Sequence, residues 1–443
     1  MNVLLLDGTG SFLDFALRVN KAGHYSRTCM AYDQETGQRK KVGDGLIEKI
    51  EREDWKSHMD WADLILMSDN NKWLREVDLY RNRGYPVLAP SYESAQLELN
   101  RGLGQKFLAD HGIATVPYES FSDYAKAEEH VRQHMERVVC KPDGDRPDKS
   151  LSYCAKSPKD MVFMLQRWAG MPNLKVGKFM LQEFVEGIEF SVAGWLGPKG
   201  FLPWFEENWE HKKLMNDEYG PNTGEMGTCC KYVKDSPLAK ELLLPLEKDL
   251  VKMGCGGSVC VSAIIDKDGE PRPTELTVRM GWPSFNICQA LHPEPVEWMA
   301  HLVDGEDTFE PHDDIATGVV LAIPPFPQKA ERPKDLEGIP IYGLDEQNEY
   351  RQFLCPCELE SGTAPEEAEG ELYDKRMFVS CGDYLVVATG RGATVRESAD
   401  AAYAAASSIE IPNDVEMRTD IGDRLKKEIP KLQDYGFAEA WRY

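Results

Sequence analysis

Lys141 ends the apolar run Arg137-Val138-Val139-Cys140-Lys141, and a polar loop follows it through Pro142-Asp143-Gly144 to Asp145-Arg146-Pro147-Asp148-Lys149-Ser150. A lysine at a strand end can hold an α- or β-phosphate, and a mobile loop behind it can offer amides to the terminal phosphates. Glu183-Phe184-Val185 closes a second strand pattern that begins at Phe179. An edge of this kind can read adenine through its backbone. Glu275 stands on a hairpin pattern, residues 260–265 and 274–279 joined over Asp266-Lys267-Asp268-Gly269, and a carboxylate there can carry a divalent cation. Taken singly these are ordinary: a strand-end lysine is usually a solvated edge residue, and a hairpin acid usually faces water. In this order along one chain they meet the requirements of nucleotide-driven ligation.

The elements that must position these groups alternate between strand and helix. Asn2-Val3-Leu4-Leu5-Leu6-Asp7 reads as a short strand entering Gly8-Thr9-Gly10, with a helical pattern from Phe12 to Val19. Ala62-Asp63-Leu64-Ile65-Leu66-Met67 and Pro86-Val87-Leu88-Ala89-Pro90 read as further buried strands. This alternation predicts a parallel sheet covered by helices. The opening strand, glycine turn and helix suggest a phosphate or dinucleotide site only weakly, because Leu13 stands where the third glycine of the fingerprint belongs. A helix is expected from about residue 91 through Gln96-Leu97-Glu98-Leu99-Asn100-Arg101. The acidic segment Ala364-Pro365-Glu366-Glu367-Ala368-Glu369-Gly370-Glu371 is expected to be a solvated loop between strands.

Composition narrows the partners. The chain has 443 residues, 42% of them hydrophobic, enough for two to four domains. Its 75 acidic residues against 51 basic ones leave a net charge of −24, which repels nucleic acid and anionic membrane. A phosphate-bearing ligand must therefore meet a local basic pocket inside an acidic body. No apolar run approaches the ~20 residues of a membrane span, and no signal peptide is read at the start, so the expected location is the cytoplasm. The eleven cysteines are scattered without metal-site spacing and read as buried free thiols.

Tyr219-Gly220-Pro221-Asn222-Thr223-Gly224-Glu225-Met226-Gly227 is similar to GPNTGGMG, a motif of the phosphoribosylamine–glycine ligase family within the ATP-grasp superfamily. Glu210-His211-Lys212-Lys213 resembles that family's DHKR, and Arg418-Thr419-Asp420-Ile421-Gly422 its RKDIG. Thr389-Gly390-Arg391-Gly392-Ala393-Thr394-Val395 resembles the turn before its last long helix. The resemblance runs in segment order over about residues 1 to 425. It implies an α/β and α+β multidomain fold. An N-terminal α/β domain of the biotin-carboxylase N-terminal type would span 1–100 and an ATP-grasp body 101–312, with a lid at about 118–192. A C-terminal α+β domain would span 313–443.

The resemblance also implies a chemistry: ATP phosphorylates a carboxylate, and an amine attacks the acyl phosphate to give an amide, ADP and phosphate. Cations and aimed amides are then the expected catalysts. By position, Arg101 replaces the first phosphate-contacting lysine, while Lys141 matches the second and Lys149 survives in the lid loop. Glu183, Phe184 and Val185 match the adenine hinge, and Glu189 the acid that binds ribose. Lys212 and the Asn222-Thr223-Gly224 turn face the phosphoryl centre with Arg279. Glu275 and Thr277 take the magnesium positions, and Glu210, His211, Trp282 and Ser284 the substrate pocket. ATP and Mg2+ are the implied cofactors, the partners are small carboxylates and amines, and the chain is expected to be a monomer or homodimer. Trp204 and Trp209 fit either a pocket wall or the core.

Several motifs depart from the pattern. The lid loop AAGKG is Arg146-Pro147-Asp148-Lys149-Ser150, without its glycines, and the metal-binding asparagine of EFN is Thr277. RFGDPE becomes Arg279-Met280-Gly281-Trp282-Pro283-Ser284, which loses both acids. GGREHAL becomes Gly10-Ser11-Phe12-Leu13-Asp14-Phe15-Ala16, and GPEAPL becomes Ser68-Asp69-Asn70-Asn71-Lys72-Trp73. In the family the last two help form the phosphoribosylamine pocket. The expectation is therefore an active carboxylate–amine ligase with an amine other than phosphoribosylamine. A degenerate relative that binds without turnover, and a genuine phosphoribosylamine–glycine ligase, are the alternatives.

Overall fold

The structure is a computed structural model that describes residues 1–32, 40–143, 152–171, 177–327, 336–368, 370–412 and 415–443. The N-terminal run folds into a five-stranded parallel sheet in the order Lys49–Ile50, Tyr25–Met30, Asn2–Asp7, Leu64–Met67, Val87–Leu88. Val3, Leu4, Leu5 and Leu6 are fully buried. Helices cover both faces of such a sheet, so its central strand reads as a continuous apolar run rather than an alternation. The helix Leu13–Lys21 leaves the glycine turn as expected.

A four-stranded sheet, ordered Tyr118–Phe121, Phe179–Glu183, Val138–Pro142, Tyr153–Cys154, carries Lys141 and ends the strand before the Phe184-Val185 edge. The helices Tyr124–His134 and Pro158–Ala169 pack on it through Val131, Leu165 and Trp168. Each helix starts on a capping side chain. Asp123 accepts from the Ala125 amide at 2.7 Å, and Ser157 caps the second, with Pro158 in its first turn.

An eight-stranded sheet forms the body: Pro271–Thr277, Gly257–Asp266, Gly187–Gly197, Gly200–Glu210, Gly227–Lys234, Ile315–Ala322, Tyr384–Gly392, Leu354–Pro356. It runs on across residue 313, because Gly227–Lys234 pairs directly with Ile315–Ala322. The expected hairpin is present, with Cys260 opposite Thr277 and Ser262 opposite Glu275. Trp209 and Trp441 meet edge-on at 4.6 Å in the main core. Trp204 lies under Lys234. Cys29, Cys140, Cys229, Cys230, Cys255, Cys288, Cys355 and Cys357 are buried free thiols.

The acidic segment corrects the expectation of a loop. Its residues 364–368 belong to the strand Leu359–Ala368, which pairs with Glu371–Ser380. Ala364 lies opposite Lys375, and Glu366 reaches Lys375 Nζ at 3.4 Å. A partner strand that supplies ladder hydrogen bonds and a cross-strand cation outweighs the low strand propensity of the acids.

Candidate active site

The four-stranded sheet, the hairpin edge of the body and the ribbon Lys213–Met215 with Tyr219–Asn222 surround a cavity of about 440 Å³. Arg101, Lys141, Glu183, Phe184, Val185 and Glu189 line it on one side. Glu210, Lys212, Asn222, Thr223, Gly224, Glu275, Thr277, Arg279, Trp282 and Ser284 line the remainder. The expected site residues are thus gathered in one place, with two exceptions. Lys149 lies outside the described residues. His211 is fully buried and is not part of the cavity wall.

Lys141 stands in the strand Val138–Pro142, with Gln182 opposite its neighbour Val139 on the next strand. Its Nζ donates to Gln182 Oε1 at 2.8 Å and to the Thr274 carbonyl at 2.9 Å. Neither acceptor is charged, so burial lowers the lysine to about 8. Arg101 opens the helix Arg101–Asp110, whose start is capped by Asn100. Its guanidinium donates to the Pro142 carbonyl at 2.8 Å and pairs with Glu275 at 3.0 Å. Glu275 in turn raises Arg101 above its ordinary value.

Lys212 Nζ lies 2.6 Å from Glu189 and 2.9 Å from Glu210. Burial opposes its charge, but the two carboxylates together hold it well above the usual lysine value. Glu189 likewise is disfavoured as an anion by burial, yet Lys212 keeps it below the ordinary carboxylate range. The two groups expected at the ribose and at the phosphoryl centre are therefore ion-paired with each other. Thr223 returns both its amide and its hydroxyl to the Lys212 carbonyl, at 2.8 and 2.9 Å. Asn222 Nδ2 donates to the Ser152 carbonyl at 3.0 Å. Arg279 pairs with Glu98 of the helix Tyr92–Leu99 at 3.0 Å, and Glu98 also accepts from the Val278 amide and from Asn70. This arginine is held from the N-terminal sheet's side.

Glu275 and Thr277 alternate on the strand Pro271–Thr277 and so share its cavity face. Among the described residues no three His, Cys, Asp or Glu side chains form a metal-holding group. A magnesium ion carried mainly by phosphates and water needs only one or two protein oxygens, so this pair fits that use.

Sequence reasoning missed two acids in the cavity wall. Glu206 is buried, and Ser284 Oγ donates to it at 2.8 Å; burial pushes its carboxyl up to about 7. Glu225 is buried, and burial followed by repulsion from Glu210 pushes it well above the ordinary range. Both were legible. Glu206, Asn208 and Glu210 alternate on the strand Gly200–Glu210 and share one face. Glu225 stands where GPNTGGMG has a glycine.

Two features lie away from this centre. The carboxylate of Asp7 accepts from the amides of Gly10, Ser11 and Phe12 at 2.7, 3.1 and 2.9 Å, and from Ser68 Oγ at 2.7 Å. The glycine turn thus spends its amides on its own strand's aspartate. A second cavity, of about 520 Å³, lies between the helix Leu13–Lys21 and the strand Glu371–Ser380 and holds none of the motif residues.

Residues 100–255 match the family model described as phosphoribosylglycinamide synthetase, ATP-grasp (A) domain. Over this segment the chain resembles the phosphoribosylamine–glycine ligases of the ATP-grasp superfamily. By class it is an ATP-dependent carboxylate–amine ligase, forming C–N bonds. A phosphoribosylamine–glycine ligase of Vibrio vulnificus is 27% identical over 79% of this chain and 80% of its own length. One of Ralstonia nicotianae is 28% identical over 79% and 81%. The phosphoribosylamine–glycine ligase structure from Thermotoga maritima shares the fold with a TM-score of 0.70, covering 95% of this chain and all of its own at 20% identity. An L-amino acid ligase from Bacillus licheniformis shares it at 0.57, covering 93% and 98% at 12% identity. The ATP-grasp fold and ligase class therefore stand. No helix among the described residues is long and apolar enough to cross a membrane.

Proposed function

We propose that this ATP-grasp ligase joins glycine to phosphoribosylamine. The observation that carries the ligase chemistry is the convergence of Arg101, Lys141, Lys212 and Arg279 on one cavity that also holds Glu275 and Thr277. The names of the relatives support the substrate pair, and they favour it over the altered amine expected from the motif departures.

In this reading Lys141 and Arg101 take the phosphates of ATP, and the Glu183-Phe184-Val185 edge takes the adenine. Lys149 of the lid loop is assigned to the phosphates by its sequence position alone. Glu189 receives the ribose, which requires Lys212 to turn from Glu189 toward the phosphoryl centre while keeping Glu210. Glu275 and Thr277 would hold magnesium, which when bound neutralises charge on the transferring phosphoryl group. Lys212 and Arg279 offset charge on the acyl phosphate and then on the tetrahedral oxyanion, while Thr223 fixes the backbone of Lys212. The amine attacks uncharged, the C–N bond forms, and the C–O bond to phosphate breaks.

One observation favours a second reading, ligation to a different amine. The amides that could cradle a sugar phosphate in the first turn are occupied by Asp7, and Phe12 is buried against Phe285 at 6.0 Å. ADP release measured with glycine and freshly generated phosphoribosylamine separates the two. Release that requires both substrates and is lost in Lys141→Ala supports the first reading. MgATP binding without release, followed by release with another amine, supports the second.

A further inference from the structure

The acids missed in the sequence share the end of the cavity where Trp282 and Ser284 replace the resembled motif's two acidic residues. Glu225 is 4% exposed, lines the cavity, and its Oε1 has no hydrogen-bond partner. Glu206, 6% exposed, receives neutral donors: Ser284 Oγ at 2.8 Å and Asn208 Nδ2 at 3.3 Å. Lys212, the cation whose charge reaches Glu225, is engaged by Glu189 and Glu210. Two buried carboxyls thus face the cavity, and among the described residues no ion pair joins either of them to a cation; Lys212 acts on Glu225 only through space. Leaving a buried acceptor unmatched is costly, about 1–3 kcal/mol and more for a charged group, so a pocket that keeps such groups gains most from a ligand that completes them.

The wall beside them suits a cation as well. Trp282 packs on Tyr384 with ring centroids 4.0 Å apart, and Trp282 lines the cavity. An aromatic face beside carboxylates attracts an organic cation through both the ring quadrupole and direct pairing. An anion in the same position would meet Glu206, Glu210 and Glu225 together. The upward shifts of Glu206 and Glu225 agree with this, since both are carboxyls short of a counter-charge.

We infer that Glu206, Glu225 and Trp282 form a subsite for a cationic nitrogen, an ammonium or guanidinium group carried by a substrate of this ligase. The subsite rests on the ligase reading for its place beside the reacting centre, but its occupancy is measurable without turnover. Its position sets specificity: a substrate with a protonated nitrogen directed away from the reacting atoms is selected, and one with an anionic group there is rejected. In the second substrate reading this is the feature that distinguishes the altered substrate.

The test is calorimetric titration of the full chain, with MgADP present, using 1,4-diaminobutane and agmatine as cationic probes and glutarate as the anionic one. At least one cation is expected to bind in the submillimolar range and glutarate not to bind. Glu225→Gln and Glu206→Gln are each expected to weaken the cation about tenfold or more, the scale of one charge-assisted contact. Glu225→Gly, which restores the motif glycine, should do the same. MgATP affinity, titrated separately, should stay within about twofold in all three variants. Absence of cation binding to the wild-type chain, or equal binding by the variants, overturns the subsite. Loss of MgATP binding in the wild-type chain would instead count against the ligase reading, and the cation titration without nucleotide would still decide the subsite.

Discussion

The amide of Gly422 donates to Nε2 of His211 at 3.3 Å, joining two motifs that lie 211 residues apart. An amide can only donate, so Nε2 carries no proton and the imidazole is neutral. Burial, with Arg424 and Arg418 nearby, holds its pKa well below the usual histidine value. The strand that carries Glu210 into the cavity turns His211 the other way, and the His211 carbonyl accepts from Met226 at 2.8 Å. His211 therefore positions Lys212 and the Asn222-Thr223-Gly224 turn from behind.

This makes His211 a positioning residue with a distinctive signature. His211→Leu should lower unfolding free energy by about 1–3 kcal/mol, because the Gly422 amide loses its buried acceptor. It should lower kcat more than it raises KM for MgATP, since Lys141 and Arg101 are untouched. His211→Gln, which can offer an oxygen to the same amide, should recover part of both. A denaturant titration alongside steady-state ADP release reads the two effects. An unchanged kcat in the leucine variant would remove His211 from the positioning of Lys212.

Arg418 acts at the other end of the same junction. It is 1% exposed, grips Asp420 with two bonds of 2.8 Å, and pairs with Glu218 of the ribbon turn at 2.8 Å. Its Nη1 also donates to the Lys213 carbonyl at 3.1 Å. Removal of one partner from a buried pair costs about 3–5 kcal/mol, and the exposure of Glu218 reduces that here to roughly 2–3 kcal/mol. Arg418→Ala should therefore shift the denaturation midpoint clearly downward. Arg418→Lys should recover only part of the loss, because a point charge cannot make both bonds to Asp420.

Lys141 gives a pH prediction whose sign follows from its surroundings. Its value near 8 means the ammonium is charged below that pH and neutral above it. Affinity for the ATP polyanion should thus fall as pH rises from about 7 to 9 in the free enzyme, seen as a falling kcat/KM for MgATP. Lys141→Arg keeps its charge throughout this range and should flatten that limb, whatever it does to the maximum. A limb that persists unchanged in the arginine variant would assign it to another group.

The positions most legible in the sequence were those where the local pattern alone fixes a side chain's direction. Lys141 could be placed because a strand end and an alternating neighbour decide where it points, and Glu275 because a short hairpin fixes its register. The parallel N-terminal sheet followed from an apolar run too continuous to face water. His211 was misplaced because it lies one residue beyond the strand Gly200–Glu210, where alternation stops governing direction. Glu225 is legible only as the single departure from GPNTGGMG, and the identities around it carry no information on where its carboxyl points. The pairing of Lys212 with Glu189 and of Arg279 with Glu98 could not be read from spacing, since each joins segments far apart in the chain.

The same geometry makes the altered loop and the missed acids interdependent. Ser284 occupies the position of the second acid in the resembled RFGDPE, and its hydroxyl donates to Glu206 at 2.8 Å. Restoring that acid with Ser284→Glu would replace a donor by a second carboxylate against a buried one, and both cannot remain ionised at that separation. Ser284→Glu alone should therefore destabilise the chain by about 1–3 kcal/mol, with the cost growing as pH rises. Glu206 is itself raised to about 7, so its folded form binds protons more readily than the unfolded chain does. Its own contribution already declines as pH rises from about 4.5 through 7, and a second acid would steepen that decline. Glu206→Ala should remove the conflict, so the double variant should be more stable than Ser284→Glu. A double-mutant cycle over pH 5 to 8 measures the coupling, expected at about 1–2 kcal/mol near pH 8 and smaller near pH 5. Additive effects at both pH values would mean that Ser284 and Glu206 do not share one electrostatic site.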